Sequence, residues 1–157
     1  MRKKKTRLSD SEWRKIKASM PIPCVDMILE NKGGKVLLGW RLILPYRNVW
    51  ALPGGRVLIG ENLTDTSRRI LGEYHVSPGA LYLVGVFPVN FTTRSDISIC
   101  LASRNHVGEP NPDGHEFSRF KWCGRLPKKL GANYVRMILK WRAMSRDAAL
   151  LKFGKIA

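Results

Sequence analysis

Six short runs of apolar and β-branched residues, separated by turns that contain glycine or proline, most limit how this chain can fold. Runs of this length are typical of strands, whereas three other segments have the spacing of helices. A length of 157 residues favours one domain. We therefore expect a single α/β or α+β domain with a mixed sheet and helices on its faces. The expected strands are 24–30, 35–41, 49–52, 81–89, 97–103 and 117–122.

Local signals place the expected helices and one turn. Glu12 follows Ser9 by three residues, as in a capping box, and predicts a short helix that ends near Ala18. Residues 31–34 (Asn-Lys-Gly-Gly) predict a turn that joins the first two strands in a hairpin. A second helix is expected over 64–74. The last is expected over 133–152, with one apolar face made of Val135, Ile138, Trp141 and Met144.

The positive charge lies at the two ends of the chain. Lys and Arg number 28 against 12 Asp and Glu, a formal charge of +16. Residues 1–18 carry a surplus of +6, residues 19–116 are neutral, and residues 117–157 carry +10. Either these are solvated helix faces, or they form a patch that attracts phosphate-bearing ligands, from nucleotides to nucleic acid. An apolar content of 44% excludes a disordered polyelectrolyte.

Several classes of protein are not indicated. No apolar run reaches the ~18 residues of a membrane span, and the basic segment 1–8 continues into polar sequence. The three cysteines, Cys24, Cys100 and Cys123, are odd in number and widely spaced, so neither a disulfide framework nor a zinc site is indicated. We therefore expect a cytoplasmic protein that does not bind membranes.

Residues 55–73 carry the chemistry. Gly55 is followed after five residues by Glu61, and then after seven residues by Arg69, Leu71 and Glu73. Glycines let the backbone approach a ligand, and acidic side chains on the following helix can face one hard cation. The spacing, preceded by Trp50-Ala51-Leu52-Pro53-Gly54-Gly55, resembles the Nudix box GX5EX7REUXEEXGU of the Nudix hydrolases. That resemblance implies an α+β fold, an α/β/α sandwich with a mixed sheet and helices on both faces over residues 1–157. It also implies Mg²⁺, or Mn²⁺, as the cofactor.

Within that family the chain is most similar to the GDP-mannose mannosyl hydrolase branch. The similarity is carried by segment 21–26, by Glu30, Gly39, Arg41, Pro45 and Trp50, and by segment 53–56. It implies a nucleotide sugar or another nucleoside diphosphate derivative as the substrate, and a homodimer as the assembly. Carried over position by position, Arg41 and Arg56 would contact the diphosphate, and Asp26 would support the site. Arg69 would lie near the diphosphate or anchor the helix, and the Gly55 carbonyl would be a metal ligand.

The box departs from the family pattern at its acidic end. Ile70 and Tyr74 stand where the pattern has glutamates, and Val76 stands where it has glycine. A phenol is a poor Mg²⁺ ligand at neutral pH, so Tyr74 cannot simply replace a carboxylate. Glu73 would bind the metal if the helix end is rotated or if one residue has been deleted here, or else would form an i,i+4 ion pair with Arg69.

A second departure lies at 113–117. Glu116 aligns with the branch's metal-binding Gln, so the resemblance implies that it is a metal ligand and part of the catalytic site. His115, one residue away, would act as the general base if the loop shifts, or else would be a solvated loop residue. The connection 90–96 is short where mannosyl hydrolases have a longer loop, which leaves the sugar open.

Two functions are consistent with these features. The first is a Mg²⁺-dependent Nudix hydrolase in which Glu73 and Glu116 hold the metal and Arg41 and Arg56 hold the diphosphate. The second is a Nudix-like module that has lost catalysis and binds a nucleotide or nucleic acid through its basic ends. Ile70 and Tyr74 favour the second function, whereas the arginines and glutamates favour the first.

Overall fold

The computed structural model describes residues 8–144, and within that range the chain forms three helices and nine strands. The helices are α1 (Asp10–Ser19), α2 (Leu63–Gly72) and α3 (Ala132–Ala143). The strands are β1 (Ile22–Leu29), β2 (Val36–Arg41), β3 (Trp50–Ala51), β4 (Gly54–Arg56), β5 (Ser77–Pro78), β6 (Tyr82–Asn90), β7 (Ser95–Ser103), β8 (His106–Val107) and β9 (Phe117–Cys123).

The strands form three sheets. The largest is mixed, with the order β4-β1-β7-β6, in which β1 and β7 are parallel and the other pairs are antiparallel. The second is antiparallel with the order β3-β2-β9, and β5 pairs with β8. The expected mixed sheet is therefore confirmed.

The predicted hairpin between the first two strands is wrong. The turn forms, since Asn31 N–H donates to the Lys35 carbonyl at 2.9 Å and Glu30 bridges to Val36, but the strands then separate into different sheets. β1 is buried along most of its length and has β7 on one edge and β4 on the other. Both edges of β1 are therefore occupied by strands distant in sequence, and β2 pairs with β3 and β9 instead.

The helices begin close to the expected positions, but the expected end of the last helix at residue 152 is wrong, because α3 ends at Ala143 and Met144 has an extended backbone. The capping box of α1 is present, with the Ser9 side chain accepting from Glu12 N–H. α2 follows the N-cap residue Asn62 and begins at Leu63, one residue before the expected start at residue 64. It ends at Gly72, two residues before the expected end at residue 74. Residues 1–7, and the expected continuation of α3 over 145–152, lie outside the described residues.

Two apolar clusters lie on opposite sides of the sheets, and each receives one helix. α2 contributes Ile70 and Leu71 to one cluster, and α3 contributes its buried residues to the other. Those buried residues are Tyr134, Met137, Ile138 and Trp141, so the apolar face of α3 is shifted from the expected one. Helices on both faces make this the expected α+β fold. Within residues 8–144 no helix has the length and apolar character needed to cross a bilayer.

Candidate functional site

A cavity of about 350 Å³ opens among β1, β4, the end of β2 and the start of α3. Five of the eight residues that the sequence placed in the site line its wall, namely Asp26, Arg41, Gly55, Arg56 and Glu116. They come from four separate segments of the chain, so the fold brings together side chains that are up to 90 positions apart in sequence. Two cations and two carboxylates therefore face one space.

Close contact between β1 and β4 explains the first of the two glycines at the cavity, Gly54. Asp26 is paired with Gly54, and Met27 N–H donates to the Pro53 carbonyl at 2.8 Å. A Cβ added at Gly54 would clash with Asp26 Oδ1 and lie 3.0 Å from the Val25 carbonyl oxygen. Glycine is thus required for this strand to approach β1 and present the next residues to the cavity.

Asp26 is a perturbed carboxyl group in the cavity wall. Burial raises its pKa to about 6, although a hydrogen bond donated by the Ser98 hydroxyl and the charge of Arg41 act in the opposite direction. A carboxylate with a pKa near neutrality can accept a proton at physiological pH.

Glu116 is already paired with two side chains. Arg41 Nη1 donates to Glu116 Oε1 at 2.5 Å, and the Tyr74 hydroxyl donates to Glu116 Oε2 at 3.2 Å. Burial raises the pKa of Glu116, while Arg41 and Tyr74 oppose that effect. The same burial, together with the charge of Glu116, raises the pKa of Tyr74 well above its usual value, so the phenol stays a donor. Tyr74 thus contacts the same carboxylate that the resemblance implied as a metal ligand.

A partly buried ion pair fixes the loop between β4 and α2. Arg69 donates to both carboxylate oxygens of Glu61, at 2.8 and 3.0 Å, and its Nη2 donates to the Arg56 carbonyl at 2.7 Å. Glu61 also accepts from Leu58 N–H and the Thr66 hydroxyl. The hydrogen bonds from Arg69 lower the pKa of Glu61 to about 2. These two residues of the box hold the Arg56 backbone in place.

The turn that presents Glu116 is organised by Asp113. Its carboxylate accepts from the backbone N–H groups of His115, Glu116 and Phe117, at 3.2, 3.0 and 3.0 Å. Burial would raise the pKa of Asp113, but these backbone donors outweigh it and lower the pKa. The position of Glu116 beside Arg41 therefore depends on an acid that the sequence did not single out.

The other three predicted site residues do not line the cavity. Glu73 is exposed, and its carboxylate lies 3.7 Å from Arg69 Nη1 in the i,i+4 arrangement. His115 is exposed in the turn after Asp113. Arg69 reaches the site through the Arg56 carbonyl rather than through the cavity wall.

The remainder of the cavity wall was not predicted from the sequence. It contains Tyr46 and Asn133, joined by a hydrogen bond from the Asn133 amide to the Tyr46 hydroxyl, and the ion pair between Arg94 and Asp96 at 2.8 Å. One signal was available for part of it. In the alternating strand β7, the buried positions include Asp96 and Ser98, and polar residues at inward positions of a strand indicate a site.

Comparison with known sequences identifies the class of protein to which this fold belongs. A family model for the NUDIX domain matches residues 20–126. This chain therefore belongs to the Nudix hydrolase family.

Similar proteins were also found by sequence and by structure. The low-salt glycan biosynthesis protein Agl8 of Haloferax volcanii is 44% identical over 68 residues, and the match spans 43% of each protein. A MutT NUDIX hydrolase from Burkholderia pseudomallei has a TM-score of 0.73 at 19% identity, covering 78% of this chain and 98% of that one. The NUDIX domain of Shewanella oneidensis NrtR, solved with ADP ribose, has a TM-score of 0.68 at 22% identity, covering 86% and 97%. At these identities the structures support the fold alone.

Nudix hydrolases generally use divalent metal ions such as Mg²⁺. Within residues 8–144 no three His, Cys, Asp or Glu side chains are grouped so as to hold a metal, so the donors do not fit a preformed cage. Mg²⁺ bound through substrate phosphates needs only one or two protein carboxylates. Glu116 and Gly55, the two expected ligand residues that lie in the cavity wall, would offer such an ion one carboxylate and one carbonyl oxygen.

Proposed function

We propose that this chain hydrolyses a nucleoside diphosphate linked to another group, with a nucleotide sugar as the substrate class. The observation that carries the proposal is the cavity in which Arg41 and Arg56 lie with the carboxylates Asp26 and Glu116. Guanidinium groups bind phosphate oxygens in pairs and stay charged. The name of Agl8, a glycan biosynthesis protein, and the resemblance to the mannosyl hydrolase branch support a sugar as the second group.

Substrate binding would exchange partners within the cavity. In the free protein Arg41 and Glu116 neutralise each other, with only 13% and 17% of their side chains exposed. A diphosphate would take the Arg41 guanidinium, and the freed Glu116 carboxylate would then become available to Mg²⁺ together with the Gly55 carbonyl. The ion would offset phosphate charge when bound. The exchange keeps the cavity close to neutral, which limits the cost of burying a diphosphate.

The reaction would need a proton acceptor and charge stabilisation. Water attacks the substrate, its proton passes to a carboxylate in the cavity wall, and a phosphate-bearing product leaves with the electron pair of the broken bond. Asp26, with its pKa near 6, is suited to accept the proton. Arg41 and Arg56 would stabilise the charge that develops on the leaving group. His115 stays a predicted base, and it reaches the substrate only if the turn at Asp113 moves.

A panel of nucleoside diphosphate sugars, assayed with and without Mg²⁺ or Mn²⁺, tests the proposal. Free sugar and phosphate-containing products are both measured, because the bond that breaks differs between Nudix hydrolases. We expect metal-dependent turnover that Arg56→Ala or Glu116→Gln lowers at least tenfold, whereas the exposed Arg68→Ala leaves it unchanged. A silent panel at millimolar metal, or turnover that all three variants retain, contradicts it.

One observation favours a second function, in which the cavity binds a nucleotide without turnover. Glu116 is satisfied by Arg41 and Tyr74, so the free protein does not require a cation there. That function predicts nucleotide affinity that is the same in EDTA and in Mg²⁺, with no product released. The hydrolase instead predicts tighter nucleotide binding in Mg²⁺ and release of product, because the metal would be held by the diphosphate and Glu116 together.

A homodimer and a cytoplasmic location belong to the same proposal. The homodimer rests on the resemblance to the mannosyl hydrolase branch, and the location rests on the features of the sequence given above. Sedimentation equilibrium of the full chain tests the dimer, since a monomer at micromolar concentration contradicts that part of the proposal.

A further inference from the structure

The surplus positive charge of the described residues is concentrated in one continuous stretch. Residues 8–116 have nearly equal numbers of cationic and acidic side chains, whereas residues 117–144 contain eight Lys and Arg and no Asp or Glu. All eight side chains are exposed, on β9, on the following loop and on α3. This stretch therefore carries a surface with no acid of its own to neutralise it.

Two half-buried tryptophans lie beside this stretch. Trp40 and Trp50 are cross-strand partners in β2 and β3, with ring centroids 5.4 Å apart and planes at 76°. The Arg119 guanidinium lies 5.1 Å from the Trp40 ring and 5.5 Å from the Trp50 ring. Aromatic rings and an arginine held together in this way offer faces on which planar groups can stack.

The tryptophan pair is tied to the basic loop by the backbone. Trp50 N–H donates to the Lys129 carbonyl at 2.7 Å, and Gly131 N–H donates to the Trp50 carbonyl at 3.1 Å. The backbone of the loop that carries Lys128 and Lys129 is therefore fixed against the backbone of Trp50. Stacking groups and exposed cations thus occur together, and none of these residues lines the cavity proposed to hold the substrate.

We propose that Trp40, Trp50, Arg119, Lys128 and Lys129 form a surface that binds single-stranded nucleic acid. Unpaired bases would stack on the tryptophan rings, and the lysines would contact the phosphodiester backbone. An anionic membrane is less suited to this surface. Among the exposed large apolar side chains of the described residues, Leu139 alone lies within 117–144, so little is available to insert into lipid.

The test uses the full chain and two fluorescein-labelled 12-nucleotide probes, oligo-rU and oligo-dT, followed by anisotropy between 50 and 200 mM salt. We expect both probes to bind, with affinity falling steeply as salt rises. Removing two phosphate contacts with Lys128→Ala/Lys129→Ala should weaken binding roughly 3- to 10-fold over this range and flatten the salt dependence. The matched control Lys32→Ala/Lys35→Ala removes two exposed lysines from the β1–β2 turn and should change little.

A second variant separates stacking from charge. Trp50→Phe keeps the backbone hydrogen bonds and an aromatic ring. It should weaken binding without altering the salt dependence. The quenching of tryptophan fluorescence on binding should also be smaller in this variant than in the wild-type protein. Equal losses in the test and control lysine variants would overturn the proposal. Oligonucleotide binding that Trp50→Phe leaves intact would also overturn it. So would a protein that binds phosphatidylserine vesicles but neither oligonucleotide. Preference for rU over dT would identify RNA as the ligand. Saturating nucleoside diphosphate should not compete, so this proposal can fail while the hydrolase stands.

Discussion

Replacing Glu61 by Gln tests whether the Glu61–Arg69 ion pair holds the loop that presents Arg56. Only 13% of the Glu61 side chain and 25% of the Arg69 side chain are exposed. The hydrogen bonds from Arg69 lower the pKa of Glu61 from 4.5 to about 2. A pKa lowered by this much corresponds to about 3 kcal/mol of stabilisation at neutral pH. We expect Glu61→Gln to lower the free energy of unfolding at pH 7 by about 2 to 3 kcal/mol.

The pH dependence of this loss has a definite sign. The pKa of Glu61 is lower in the folded protein than in the unfolded chain. The stabilisation is therefore fully present above about pH 5.5 and is lost as the pH falls toward 2. The difference between the wild-type protein and Glu61→Gln should fall below half of its neutral value by about pH 3.

Urea denaturation followed by tryptophan fluorescence at pH 7, 4 and 3 measures this difference. Glu73→Gln is the matched control, because Glu73 pairs with the same arginine at 3.7 Å and has 53% of its side chain exposed. It should change stability by less than about 0.5 kcal/mol. A Glu61→Gln protein as stable as the wild type at pH 7, or a difference that does not shrink in acid, would refute the reasoning.

Two further predictions concern the residues around the cavity. Gly54→Ala places a Cβ against Asp26 and should destabilise the protein by about 1 to 3 kcal/mol. At Gly72 an added Cβ meets nothing within 4 Å, so Gly72→Ala should be neutral or stabilising by up to about 1 kcal/mol. Urea denaturation compares the two variants, and equal effects would contradict the clash at Gly54. Trp13→Leu removes the ring that lies 4.2 Å from the Arg56 guanidinium, and it should raise KM about 2- to 5-fold with kcat nearly unchanged. Steady-state kinetics check this, and a loss confined to kcat would show that Trp13 does not position Arg56 for binding.

Local sequence signals predicted the elements better than their partners. The capping box at Ser9 and the turn at residues 31–34 depend on residues within a few positions of each other, and both form. The hairpin failed because β1 is a central strand whose edges are taken by β4 and β7. Such pairing depends on apolar surfaces from distant segments, and no local pattern encodes it.

The same distinction explains the site. The spacing from Gly55 to Arg69, and the family resemblance that singled out Arg41, pointed to residues that the fold brings to one cavity or to its supporting loop. The wall that includes Asn133 could not be predicted, because it depends on how α3 packs against the sheet more than 80 positions from its partner Tyr46. The partner of Glu116 was likewise hidden, since Arg41 lies 75 positions away.

The most direct test of the account measures whether the cavity of Arg41, Arg56 and Glu116 binds a diphosphate. Isothermal titration calorimetry of the full chain with nucleoside diphosphates, in Mg²⁺ and in EDTA, provides this measurement. The account predicts binding that is tighter in Mg²⁺, weakened at least tenfold by Arg56→Ala and unchanged by Arg68→Ala. It would be contradicted if Arg56→Ala and Arg68→Ala both bound the nucleoside diphosphate as tightly as the wild-type protein does. The absence of binding at millimolar nucleotide would contradict it as well.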